Sequence, residues 1–134
     1  MVLSLSFDEV EVLKRRAESF LRNALRLINE GEADLAVFNL EQYCQLILKY
    51  KLLVIKGVYT RTNSLRRLIR ELSEFNSRAL VLVNDVKNLH YIARLEEAHM
   101  AARYSLYEYT IEEARDLAKF VLEVFKPLVE SIQP

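Results

Sequence analysis

Along most of this chain apolar side chains return every three or four positions, and only a few places break the rhythm. In the first interval Val10, Leu13, Ala17, Phe20, Leu21, Ala24, Leu27 and Ile28 share one stripe, the spacing of a helix with one face in a core. Gly31 predicts its end, because glycine takes the left-handed residue that closes a helix without steric cost. The next interval, 32–56, is apolar on nearly every side. Ala33, Ala36, Val37, Leu40, Cys44, Ile47 and Leu48 make one face, and Leu35, Phe38, Leu46, Tyr50 and Leu53 carry it further round. Such a helix is either surrounded by others or lies in an oligomer interface. Gly57 closes it, and "VYTRTN" reads as a loop.

A short third helix follows with Leu65, Leu68, Ile69 and Leu72, and Asn63 or Ser64 is its N-cap. "EFNSRA" breaks it. A fourth helix carries Leu82, Val83, Val86, Leu89 and Ala93 toward about residue 101. The polar stretch "HMAARYSLYEYT" then interrupts the pattern, and Thr110 with Glu113 forms a capping box that opens a last helix. Ala114, Leu117, Ala118, Val121, Phe125 and Leu128 line that helix, with Pro127 expected to kink or fray its final turn. No alternating strand pattern, repeat or low-complexity segment is present. The prediction is a single all-α domain over 1–134 with its core at about 9–132, an up-and-down bundle of four long helices and one short one.

Composition narrows the function classes. The chain has 134 residues, half of them apolar, enough to bury a core without staples. Its 19 basic and 19 acidic side chains cancel, so no global field recruits nucleic acid or membrane, and any polyanion site must be a local cluster. Cys44 stands alone inside a helical stretch and reads as a small buried thiol. No apolar run approaches a membrane span and no secretory leader opens the chain, which predicts a soluble cytoplasmic protein.

The second helix, "FNLEQYCQLILKYKLLVIKG", resembles the hallmark helix of the HEPN (higher eukaryotes and prokaryotes nucleotide-binding) family, with Phe38, Gln42, Lys49, Leu52, Leu53 and Gly57 in matching places. "NSLRRL" resembles that family's His-Ser-Leu-x-x-Leu start of the third helix, and "AARYS" its Ile-Pro-x-Arg-Tyr-Pro segment, followed by the capped "TIEEA". Three positions depart from the pattern: Asn63 stands for histidine, Gln45 for glutamate and Ser105 for proline. The resemblance implies a bundle that is commonly a homodimer, often with a small nucleotidyltransferase as partner. Its members range from nucleotide or partner binders without activity to toxin-like ribonucleases with an Arg-x4–6-His motif.

Arg94 and His99 satisfy that motif by spacing. In a ribonuclease, His99 would move a proton at the attacking or leaving oxygen, and Arg94 would hold charge developing on the phosphate. Five positions on a regular helix lie about 140° apart, and "YIARLEEAHMAA" offers nothing to break one. The ordinary alternative pairs Arg94 with Glu97. Arg103, Tyr104 and Tyr107 are candidate ligand contacts, an arginine for phosphate beside tyrosines for a base; structurally, they would cap and plug the bundle end. Gln42 and Lys49 share a face of the second helix near the nucleotide cleft that the resemblance implies. Lys56, Arg61, Arg66, Arg67 and Arg70 form a basic run without an acid between them, a phosphate patch or a solvated face. His90 and His99 lack zinc-ligand spacing, and there is no glycine-rich phosphate loop or Ser-His-Asp set.

No metal and no cofactor are therefore expected. The leading expectation is a non-catalytic HEPN-like module, homodimeric through the broadly apolar second helix and its neighbours, that binds a nucleotide, a small nucleotidyltransferase or both, in a toxin–antitoxin-like or defence system. The alternatives are a metal-independent endoribonuclease using Arg94 and His99, and a purely structural helical adaptor.

Overall fold

Ser6 opens the first helix by a reciprocal cap: its hydroxyl accepts the Glu9 N–H at 3.4 Å, and the Glu9 carboxylate accepts the Ser6 N–H at 3.2 Å. The computed structural model describes residues 2–3, 6–104 and 108–134, with side chains over 6–100, 104 and 108–134. Helix α1 (Phe7–Asn29) closes at Gly31, whose φ of 79° lets Glu32 N–H reach Leu27 O at 2.9 Å and Gly31 N–H reach Ile28 O at 3.1 Å. That pair of bonds satisfies carbonyls that the helix end would otherwise leave open. Helix α2 (Ala33–Lys56) follows and ends at Gly57 with φ 81°. A two-residue strand β2 (Tyr59–Thr60) pairs antiparallel with β1 (Val2–Leu3), Val2 opposite Thr60. This ladder is too short to leave an alternating pattern in the sequence.

Ser64, not Asn63, caps α3 (Leu65–Ser73) by accepting the Arg67 N–H at 3.2 Å. The expected fourth helix is split. A 3₁₀ turn (Ser77–Leu80) runs into the single turn α4 (Val81–Asn84), Asp85 turns extended with ψ 123°, and α5 (Val86–Tyr104) begins anew. The cause is local: the Asp85 carboxylate accepts the Asn88 N–H at 3.0 Å, which favours a helix start over a helix interior. Thr110 and Glu113 form the expected capping box on α6 (Ile111–Phe120). Pro127 neither frays nor ends the rod. A π-helical turn (Val121–Phe125), in which Lys126 N–H bonds Val121 O, shifts register so that α7 (Lys126–Ser131) carries Pro127 in its first turn, where a missing N–H costs little.

The molecule is the all-α bundle that the periodicity implies, and α2 is its axis. Helices α1, α3, α5 and α6 all pack on it, and Leu40, Cys44, Leu48 and Leu52 have no exposed surface. Other helices surround it: among the large apolar residues of α2 only Leu35 and Val54 are exposed. No described helix is long and apolar enough to cross a membrane. Leu40→Ala is expected to lower the unfolding free energy by roughly 2–5 kcal/mol, and Leu35→Ala by less than about 0.5 kcal/mol. Urea denaturation of both variants measures the contrast, and equal losses would show that α2 is not the axis of packing.

Candidate functional site

A carboxylate sits fully buried within the apolar circumference of α2. Glu41 has no exposed surface, and its carboxylate accepts the side-chain N–H groups of Gln42 at 2.9 Å and of Gln45 one turn on. His99 of α5 reaches it from across the bundle, with Nδ1 3.7 Å from Oε1. Burial is the largest influence on Glu41 and pushes its pKa up to about 7. The Gln45 and Gln42 donors favour the ionised form and lose to it; Glu96 adds repulsion, and Lys49 opposes the rise. The result is a carboxyl poised to exchange a proton at neutral pH beside a histidine.

Around this pair the body of α2, the start of α3 and the later part of α5 meet. His99 Nε2 lies 3.4 Å from the side-chain nitrogen of Asn63, just before α3, and the His99 ring lies over Phe38 of α2 with centroids 6.5 Å apart at 24°. One turn back on α5, Glu96 accepts Ser64 Oγ–H at 3.1 Å and pairs with Arg66 at 2.6 Å. Lys49 stands over the Tyr59 ring, its Nζ 5.3 Å from the centroid. Burial lowers its pKa, Glu41 works against that, and Arg61 adds to it. Gln42, Lys49, Arg61, Arg66 and His99 thus belong to one neighbourhood, in which Phe38, Gln42, Lys49, Arg66 and His99 are half-buried and Arg61 and Asn63 exposed.

Arg94 faces elsewhere. Its guanidinium pairs with Glu113 at 2.6 Å and Glu97 at 2.8 Å and lies 4.3 Å above the Tyr109 ring, while Tyr109 O–H donates to Arg94 O at 3.1 Å. Helix α5 is unbroken between Arg94 and His99, so the two side chains leave it on different sides. Both the ion pair with Glu97 and the clasp on α6 are structural contacts. Tyr109 also donates its N–H to the Asp34 carboxylate at 2.7 Å, tying the polar stretch after α5 to the start of α2.

The remaining candidates scatter. Lys56 pairs with Glu71 at 2.8 Å, and Arg67 and Arg70 sit on the exposed side of α3. Tyr104 is exposed at the end of α5; the Arg103 side chain and Tyr107 lie outside the described residues. Among the described residues no three His, Cys, Asp or Glu side chains gather as metal ligands. Sequence reasoning passed over Glu41 and Glu96. Glu41 did carry a signal, as the only acidic residue between Asp34 and Glu71, set in the most apolar helix. Glu96 carried none, since its partners come from thirty positions away.

Compared with models of protein families, the chain matches the HEPN domain over residues 10–132. No curated protein and no solved structure gives a significant match.

The Glu41 shift has a stability consequence. A carboxyl whose folded pKa lies above its unfolded value, 4.5, keeps its proton longer when folded, so stability falls as pH rises from about 4.5 to about 7 and then levels off. Glu41→Gln removes that slope. Relative to wild type, the variant is expected to gain roughly 2.5 kcal/mol between pH 5 and pH 8, as measured by urea unfolding at each pH. Parallel profiles would show that Glu41 titrates as an ordinary glutamate.

Proposed function

The chain belongs to the HEPN domain family, and on that premise we propose that it is a nucleotide- or RNA-binding module without cleavage activity of its own, using the neighbourhood of Glu41 and His99. The observation that carries this reading is the convergence of His99, Asn63, Arg66 and Lys49 from three parts of the chain beside one buried carboxyl. Lys49, Arg61 and Arg66 supply cations for phosphate oxygens. Phe38 and His99 supply ring faces for a base, and the Asn63 and Gln42 amides supply donors and acceptors for its edge. Arg94 is held by Glu113 and Glu97 away from His99, which argues against the Arg-x4-His pair working as a nuclease centre.

Nucleotide transfer, in this reading, falls to a partner, because the sequence has no Gly-Ser turn followed by paired acids. We infer a small nucleotidyltransferase as that partner and a toxin–antitoxin-like or defence module as the setting. A homodimer fits the family habit, and the exposed apolar positions open to it include Leu35 and Val54 on α2 and Val81 and Val86 at the start of α4 and α5. One observation favours the rival ribonuclease: Glu41, pushed up to about 7, stands 3.7 Å from His99 as a proton store for acid–base chemistry.

The test is a labelled structured RNA in EDTA at low salt, followed by anisotropy for binding and by gel for cleavage. Wild type is expected to bind and leave the RNA intact. Lys49→Ala and His99→Ala each weaken binding by about tenfold, the loss of one charge-assisted contact, while Arg94→Ala stays within about twofold, as for a residue outside the site. Cleavage by wild type that His99→Ala abolishes would overturn the proposal and make the chain a metal-independent ribonuclease. Equal binding by all variants would overturn the assigned site.

A further inference from the structure

Beyond that site, a second cleft of about 390 Å³ opens between α1, α2 and the end of α7. Tyr43 follows Glu41 by two positions, about 200° round the helix, so this cleft lies on the opposite side of α2. Tyr43 is 1% exposed, and its ring meets Phe125 edge-on with centroids 6.2 Å apart. Its hydroxyl makes no hydrogen bond among the described residues. Buried polar groups almost always have a partner, and the cleft that Tyr43 lines is where one can come from.

The charges around the cleft do not balance. Lys126 is paired with Glu130 on its own helix. Lys51, 9% exposed, donates to two backbone carbonyls, Ile132 O at 2.8 Å and Glu130 O at 3.3 Å, which take two of its three hydrogens and carry no formal charge. Lys14 of α1 lies over the Tyr50 ring at 5.7 Å. The remaining carboxylate lining the cleft is the exposed Glu18, one turn along α1. Two ammonium groups and a phenol donor therefore face one carboxylate. An oxyanion supplies what is missing, an acceptor for the phenol and negative charge for the lysines. The volume falls within the range of small-molecule sites, about 300–1,000 Å³.

We propose that this cleft binds a small metabolite bearing a carboxylate or phosphate group, seated on Tyr43, Lys14 and Lys51, with Glu18 accepting a hydroxyl or amine of the same molecule. Thermal unfolding of the full chain tests it, with inorganic phosphate in one arm and succinate in the other, each at millimolar concentration against sodium chloride of equal ionic strength. At least one anion is expected to raise the wild-type Tm by about 4 °C above the chloride control, and whichever does so names the source of the oxyanion. Tyr43→Phe and Lys14→Met should each cut that shift by about half or more, the mark of a lost direct contact. Without anion, Tyr43→Phe should keep or raise the Tm, because it removes a hydroxyl that has no partner. No shift above chloride in either arm, an equal shift in both variants, or a fall of several degrees in anion-free Tyr43→Phe would overturn the site.

Discussion

A helix of twenty-four residues that is apolar around most of its circumference is stable in water only when other elements cover it, and the bundle is arranged to cover α2. Helix α1 lies along it, and α3, α5 and α6 close the remaining sides. Surrounding the helix also traps what it carries. Glu41 lies in the same buried circumference as Leu40 and Cys44, and it loses its water as they do. Two amide donors and a distant lysine favour its ionised form, yet desolvation outweighs them and moves the carboxyl toward neutrality. The chemistry of the site is therefore a by-product of the packing that makes the fold.

Helix ends decide which groups meet that carboxyl. Because Ser64 takes the N-cap of α3, the side chain of Asn63 is released toward His99. Ser64 also donates to Glu96, which anchors Arg66, so a single cap couples the start of α3 to α5. On the other side of α5, Arg94 serves α6 and the stacked Tyr109, and Asp34 holds the Tyr109 N–H. One helix thus presents a structural clasp on one flank and ionisable groups on the other. The polar stretch after α5 closes the bundle through Tyr109, the last of its three tyrosines.

Local rules made much of this legible in the sequence. Apolar spacing placed the four long helices, the glycines at 31 and 57 ended two of them, and Thr110 with Glu113 opened the last. Where two local preferences compete, periodicity alone was misleading. Asp85 falls within a continuous apolar rhythm, and its capping bond to Asn88 is stronger than that rhythm. Pro127 is absorbed by one wide turn that places it in the first turn of α7. Pairings between distant segments were illegible: Arg66 with Glu96, Lys56 with Glu71 and Glu41 with His99 follow from how helices are assembled, and no spacing rule reports them. Gln42, Lys49, Arg66 and His99 were nameable one by one, but that they surround Glu41 came only from the fold.

In the proposed function one buried carboxyl, set near neutrality by the packing of α2, lies at the heart of a nucleotide- or RNA-binding site. A site-assigned carbon-13 NMR titration of the Glu41 carboxyl, with and without a short RNA, tests it most directly. The expected midpoint is near 7 in the free protein and moves when RNA is added. A midpoint near 4.5 that RNA leaves unchanged would contradict it.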